Sequence, residues 1–156
     1  MGGTHESRAP TGHRVGPWIW VRLIRAAESR TNNGGHMTTK SEHKAFMKPD
    51  ETREFPNGKA DIINIGGGSV GRMVFQPGWR WSKDVKPIAK TSSCEAPHFQ
   101  YHVSGKIAVK MDDGTEFVAG PGDVTALPSG HDAWVVGNEP AVVVDWCGAS
   151  SYAKKH

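Results

Sequence analysis

The sequence contains only two cysteines, Cys94 and Cys147, among 156 residues. Two thiols are too few for the disulfide framework of a small secreted domain, so we expect a reduced, cytoplasmic setting. No apolar run approaches the roughly 18–20 residues that a membrane-spanning helix needs. The net charge is only +3, and all of it lies in residues 1–36. The rest of the chain is therefore neutral and has no basic surface typical of nucleic-acid binding.

Residues 1–36 differ in character from the remainder of the chain. Their one apolar stretch, residues 18–25, is interrupted by two arginines, whereas a secretory signal needs an unbroken apolar core of about 7–15 residues. The pair His36 and Met37 is typical of a cloning junction followed by a natural start. We interpret residues 1–36 as a non-native or disordered extension, with a membrane-surface or partner helix as the alternative, and residues 37–156 as one domain.

Short β-rich runs separated by turn signals fill the sequence from about residue 44. The chain has 19 glycines and 10 prolines, which suit tight connections between short strands. No stretch of helical periodicity is convincing beyond two turns. This pattern predicts an all-β sandwich or closed barrel. The predicted strands lie at 60–65, 70–75, 106–111, 115–118, 124–127, 133–136 and 141–146.

Two segments carry a family resemblance. Residues 122–131, GDVTALPSGH, resemble the second motif of the cupins, with its glycine, a proline six residues on and a further glycine two residues later. Residues 98–105, followed by an alternating strand and a turn, resemble the first cupin motif. The resemblance covers 70–147 and is closest to small single-domain cupins that carry PGWRWS at 77–82. It implies an all-β, double-stranded jelly-roll barrel from about 44 to 150, a site inside its mouth, and often a homodimer.

The resemblance also implies where a metal would bind. Cupins that bind metal use three histidines and one glutamate, and the corresponding positions here are Ser92, Cys94, His98 and Ala133. None of the usual ligands is kept, but Cys94, His98 and His131 form a substitute set. One cysteine and two histidines are ligands that zinc accepts, with a fourth position left for water. Divalent iron, manganese, nickel and copper are the other ions that the resemblance implies.

Each candidate in this region also has a structural interpretation. Cys94 can equally be a small hydrophobic residue of the core. His98 can be a hydrogen-bonded residue of the barrel wall, and His131 can form an Asp–His pair that holds a loop. Glu95 and His102 are the candidate proton carriers of a metal enzyme. Glu95 is otherwise a solvated loop residue, and His102 is about 13 Å from His98 if four residues of strand separate them.

An alternating segment predicts the wall of a pocket. Trp79 and Trp81 flank Arg80, so the two indoles face one side of an extended chain and the guanidinium faces the other. Inward indoles would line a mostly apolar small-ligand pocket, whereas an inward arginine would suit a carboxylate. The candidate ligand-binding residues are Trp79, Trp81, His98, Tyr101 and Trp134.

Three functions remain open at this point. The favoured one is a small-molecule-binding cupin without chemistry, a sensor or carrier, which predicts a closed apolar cavity and no metal. The second is a metal-dependent oxygenase, isomerase or lyase that uses Cys94, His98 and His131. The third is a structural dimerisation module, which predicts a filled barrel. No phosphate-binding loop, dinucleotide fingerprint or serine-elbow motif is present in the sequence.

Overall fold

The computed structural model describes residues 40–154, which are almost wholly antiparallel β-structure. The predicted extension at 1–36 lies outside the described residues. Within 40–154, no helix is long and apolar enough to cross a membrane. The elements are β1 (Glu51–Phe55), β2 (Gly58–Ile65), β3 (Gly68–Phe75), α1 (Trp81–Asp84), α2 (Lys86–Ala89), β4 (His98–Ser104), β5 (Ile107–Met111), β6 (Glu116–Ala119), β7 (Val124–Leu127), β8 (His131–Val135) and β9 (Ala141–Asp145).

The strands form two sheets. Six strands pair in the order β1-β2-β3-β9-β4-β7, and three pair in the order β6-β5-β8, with every pairing antiparallel. The long connections that bring β9 between β3 and β4 are those of a Greek-key arrangement. The predicted all-β, double-stranded jelly roll is therefore confirmed.

The hydrophobic core lies between the two sheets. Met73 and Phe75 of β3 are buried from the larger sheet, and Ile107 and Val109 of β5 from the smaller one. These side chains recur at every second residue because alternate residues of a strand face the same side. The core fills the barrel except for a small interior cavity near the end at which β4 begins.

The segment between β3 and β4 runs beside β8 and supplies one wall of that end. Arg80 pairs with Trp134 and Cys94 pairs with His131, each as an isolated antiparallel bridge. The N–H of Val135 donates to the carbonyl of Trp79 over 3.1 Å. These bridges attach the segment to the smaller sheet.

Strand β4 is inverted relative to the usual amphipathic strand. In most half-buried strands the apolar residues face the core and the polar residues face water. Here the inward positions are polar and buried, namely His98, Gln100 and His102. The outward positions are apolar and exposed, namely Phe99, Tyr101 and Val103. Three buried polar side chains on one strand indicate a site rather than a packed core.

Arg53 of β1 fixes the segment that follows β9. Its Nη1 donates to the carbonyls of Ala149 and Tyr152 at 3.1 and 2.6 Å, and its Nη2 donates to that of Ser150 at 3.1 Å. Three hydrogen bonds from one guanidinium attach residues 149–152 to the barrel. The segment thereby brings the Tyr152 ring onto the interior end, where its exposed fraction is 4%.

Candidate metal centre

Three potential metal ligands meet inside the barrel. Cys94, His98 and His131 each offer one ligand atom, and these atoms lie within 4.8 Å of one another. All three residues are buried. The structure thus brings together the substitute set that the sequence predicted, although four residues separate the first two and more than thirty separate the third.

Cross-strand pairing explains why His131 reaches the other two. The N–H of Cys94 donates to the carbonyl of His131 over 2.8 Å, and the N–H of Gly130 donates to the carbonyl of Cys94 over 2.8 Å. Directly paired residues of neighbouring antiparallel chains bring their Cβ atoms to about 4.5–5.5 Å. His131 is therefore Cys94's neighbour across the sheet, even though it stands two residues before the position that the cupin motif implies.

A buried carboxylate orients His98. Its Nδ1 lies 2.6 Å from Oδ2 of Asp145, which is 0% exposed. Burial alone would raise the pKa of Asp145, but the hydrogen bond and charge of His98 and the backbone N–H groups of Cys147 and Phe99 outweigh it and lower the pKa. The carboxylate accepts from Nδ1 of His98, which leaves Nε2, the ring nitrogen beside Cys94, as the atom that can bind a cation.

His131 is held in the same tautomer by a different partner. Its Nδ1 lies 3.0 Å from the carbonyl oxygen of Pro128, which only accepts, so Nδ1 carries the proton. Burial is the main cause that lowers the pKa of His131, and the nearby His98 lowers it further, so the neutral ring is favoured. The two imidazole rings lie edge to face with centroids 5.4 Å apart. Both histidines therefore use Nδ1 for anchoring and leave Nε2 as the ligand atom.

The thiol completes the group. Sγ of Cys94 lies 3.6 Å from Nε2 of His98. Burial raises the pKa of Cys94 to about 11, so without a cation the group is a neutral thiol. Zinc bonds of about 2.3 Å to sulfur and 2.0–2.1 Å to nitrogen at a tetrahedral angle place the two atoms about 3.6 Å apart. The observed separation fits a shared zinc ion without movement of either residue.

Two spaces adjoin the three ligands. An interior cavity of about 20 Å³ is lined by all three, by residues of both sheets, and by Trp79 and Tyr152, which lie outside the strands. A larger pocket of about 190 Å³ opens at the barrel mouth and shares Trp81, Cys94 and Tyr152 with the interior cavity. The interior holds one water-sized species, whereas the mouth pocket has room for a small organic molecule.

The aromatic predictions divide into correct and incorrect ones. Trp79 and Trp81 are both 2% exposed and line the interior, so the inward-indole alternative is correct. Arg80 faces outward, 4.7 Å above the Trp134 ring, and its Nε donates to Asp132 over 2.8 Å. The inward-arginine alternative is therefore wrong.

Two predicted ligand-binding aromatics do not reach the interior. Trp134 is an even-numbered residue of β8, whose buried positions are 131, 133 and 135, and its ring lies under Arg80 on the outer side. Tyr101 is 40% exposed because it shares the outward face of β4 with Phe99. The prediction that these two residues line the interior pocket is wrong, and the reason in both cases is strand alternation.

The two predicted proton carriers lie apart from the ligands. Glu95 is exposed and lines the mouth pocket, and its backbone carbonyl accepts from Ser129 over 2.6 Å. His102 is buried farther along β4, with Nε2 3.1 Å from Oγ1 of Thr125. The bulge that follows His102 does not bring it to the group. Only Glu95 therefore lies where a substrate in the mouth pocket would contact it.

Two residues of the centre were not predicted from the sequence. Asp145 could have been found, because it is the only acid at an inward position of the apolar strand AVVVD. A lone acid on a buried face needs a partner, and that need is a usable signal. Tyr152 gave no signal, since nothing in its local sequence distinguishes it from a solvent-exposed tyrosine beyond the last strand.

Comparison with known proteins adds only remote structural likeness. No family profile matches the sequence, and no curated protein matches it either. Solved structures do match. A protein of unknown function (DUF1255) from Acidithiobacillus ferrooxidans aligns at 15% identity and a TM-score of 0.46, over 62% of this chain and 85% of that one. The topology of the two sheets is the jelly roll that the two sequence motifs imply.

Two further solved structures show likeness of the same size. KdgF from a Halomonas species aligns at 19% identity and a TM-score of 0.43, over 58% of this chain and 76% of that one. An oxalate decarboxylase aligns at 23% identity and a TM-score of 0.44, over 67% of this chain but 28% of its own length. Likeness of this size does not indicate what this chain binds.

Proposed function

We propose that the barrel binds one thiophilic divalent cation, zinc by preference, through Cys94, His98 and His131. The observation that carries this proposal is the presence of three buried ligand atoms within 4.8 Å of one another. Each imidazole is anchored through Nδ1 by an acceptor that orients it, the carboxylate of Asp145 for His98 and the carbonyl of Pro128 for His131. Such outer partners are the usual companions of metal-ligating histidines.

The donor set selects among the cations that the cupin resemblance implies. A thiolate and two imidazoles suit zinc, copper and iron, whereas manganese prefers oxygen ligands. The thiolate of Cys94 and the carboxylate of Asp145 together offset the two charges of a divalent ion. A neutral assembly is what a buried position requires. Zinc satisfies both the donor set and the 3.6 Å separation of Sγ from Nε2.

The mouth pocket supplies the second part of the proposal. Its walls are mainly apolar, from Trp81, Val85 and Ala96, with the Glu95 carboxylate among them. A bound zinc ion supplies Lewis acidity, which polarises a carbonyl or lowers the pKa of water. We infer a metal-dependent enzyme that binds a small, largely apolar substrate here, with Glu95 as the group that accepts or returns a proton. A carrier without chemistry would use the same pocket, because the interior is too small for an organic ligand.

Metal analysis tests the proposal. Protein purified without a His-tag or metal resin is expected to carry one equivalent of zinc per chain, and chelator-treated protein is expected to take up one equivalent again. The exposed His43→Ala variant serves as the control and is expected to retain the metal. Wild-type protein that neither carries nor takes up zinc, iron or copper would contradict a metal centre and favour the carrier.

The same residues suggest a second candidate function. Cys94, His98 and Asp145 form a thiol–imidazole–carboxylate series with separations of 3.6 and 2.6 Å, which is the order found in cysteine nucleophiles. That function needs a thiolate at neutral pH, but burial raises the pKa of Cys94 to about 11. The nucleophile function predicts a metal-free protein in which Cys94 is alkylated faster than Cys147. A buried thiol that binds a metal would instead be alkylated more slowly than Cys147.

Self-association through one sheet face remains a prediction. The exposed apolar side chains of Phe99, Tyr101 and Val103 on β4 continue onto Val124 of β7, and β7 is an end strand of the larger sheet. An exposed end strand can pair with the same strand of a second copy, and a two-fold axis between the copies makes that pairing antiparallel. Residues 37–156 carry no net charge, so electrostatic repulsion between two copies does not oppose such a contact. We expect a dimer in sedimentation analysis, and a monomer for Tyr101→Lys. An unchanged dimer in that variant would place the interface elsewhere.

A further inference from the structure

Two buried donors in the described part of the chain have no hydrogen-bond partner near the centre. These are the hydroxyl of Tyr152 and the indole Nε1 of Trp79. Their residues are 4% and 2% exposed. Buried polar groups of native proteins are nearly always paired with protein or ordered water. Two unpaired donors in one region therefore indicate a missing acceptor.

Both side chains line the same interior cavity as the three metal ligands. The cavity measures about 20 Å³, and a space of at least about 10–15 Å³ on this measure is needed for one water. The space therefore accommodates a single water-sized species in addition to a cation, because a zinc ion at about 2.0–2.3 Å from its ligands lies closer to them than a water does. The Tyr152 ring also lies edge to face with that of His98, with centroids 5.6 Å apart, which places the phenol beside the ligand group.

The position of Tyr152 is fixed by contacts on every side. Its backbone carbonyl accepts a 2.6 Å bond from Arg53. Its ring packs edge to face against Phe55 and Phe75, with centroids 5.8 and 6.5 Å away. Phe75 in turn stacks on Trp79 with centroids 4.0 Å apart. One aromatic cluster thus holds both donor side chains.

The hydrogen-bonding chemistry of the two groups indicates which kind of atom would bind between them. The indole N–H only donates. The phenol of Tyr152 donates through its O–H, and no described residue accepts from it. Two donors with no protein acceptor suit one atom rich in lone pairs. A water oxygen or a monatomic anion meets that requirement, and a cation alone does not.

The geometry points to a second subsite inside the barrel, in which Tyr152 and Trp79 donate to one acceptor atom that sits beside the cation. This inference rests on the proposed metal centre. It assigns Tyr152 and Trp79 the role of binding and positioning residues for a water-sized ligand. It also limits larger substrates to the mouth pocket, because the interior holds one such species only.

Fluoride, a monatomic acceptor, is the probe that tests the subsite. Cobalt(II) replaces zinc as the reporter, because its visible spectrum responds both to thiolate ligation and to a change in its remaining ligand. The full-length cobalt protein is titrated with fluoride as wild type, as Tyr152→Phe and as Tyr101→Phe. The last variant alters the other tyrosine of the chain, which is exposed, and is the matched control. The wild type and Tyr101→Phe are expected to bind fluoride equally.

The Tyr152→Phe variant is expected to bind fluoride about tenfold more weakly, since a hydrogen bond to a charged acceptor is lost. In the zinc protein, the indole ¹⁵N–¹H resonance of Trp79 is expected to shift on fluoride addition, which requires no mutation once the resonance is assigned. Unchanged fluoride affinity in Tyr152→Phe, or thiocyanate binding as tightly as fluoride, would overturn the subsite alone. Failure of the wild type to bind cobalt would overturn the metal centre and the subsite together.

Discussion

The Cys94→Ser variant is expected to bind zinc more than about 100-fold more weakly than the wild type. The loss exceeds the 10–100-fold typical of altered outer partners, because the change removes a ligand and its charge rather than an orienting group. Serine is close to cysteine in size, and its hydroxyl stays protonated at neutral pH. The affinity is measured by competition with a chromophoric chelator, and thermal unfolding of the metal-free proteins checks that the fold is retained.

The second cysteine supplies the control for this prediction. Cys147 is exposed and free, so Cys147→Ser is expected to keep the wild-type affinity. The pH dependence provides an independent readout. Since burial raises the pKa of Cys94 to about 11, zinc must displace the thiol proton, and the affinity is expected to rise about tenfold per pH unit between pH 6 and 8. Equal affinities of Cys94→Ser and wild type would place the ion elsewhere.

The Asp145→Asn variant is expected to lose about 10–100-fold in zinc affinity, the range found when the partner of a metal-ligating histidine is altered. Asparagine is isosteric, and its oxygen still accepts from the Nδ1 proton of His98. The negative charge that offsets the cation is lost, and the histidine becomes a weaker donor. The same chelator competition measures the effect, with the ligand residues untouched.

A second buried acid separates this effect from general destabilisation. Asp61 is 2% exposed and is paired with Arg72 at 2.8 Å and Thr52 at 2.9 Å on the larger sheet. Asp61→Asn is expected to lower the melting temperature while leaving the zinc affinity unchanged. Equal losses of zinc affinity in the two variants would mean that Asp145 acts only through stability.

Most of the fold follows from local sequence. Hydrophobic alternation and turn residues located seven of the nine strands found in residues 40–154, because both signals act within a few residues of the chain. Two exposed aromatics show the limit of that reasoning. Tyr101 and Trp134 are on the outer side because each strand's register is set by its neighbours, and aromatic character alone does not reveal the side.

The centre was only half predictable. The motif positions that the cupin resemblance implies indicated Cys94, His98 and His131 as a ligand set, but not how they meet. The contact of Cys94 with His131 depends on cross-strand pairing, and the contact of His98 with Asp145 spans 47 residues. Tyr152 reaches the centre because Arg53 of β1 binds its backbone carbonyl. Contacts of that range arise from tertiary packing, which one sequence does not disclose.

The inverted strand β4 has a consequence for how the barrel folds. A slip of one residue would carry Phe99, Tyr101 and Val103 into the interior and turn both imidazoles out to water. Apolar burial by itself favours that wrong alignment. What opposes it is the buried Asp145, which binds the His98 ring and also accepts from the N–H of Phe99 over 3.2 Å. The carboxylate that orients a metal ligand therefore also selects the correct strand alignment during assembly.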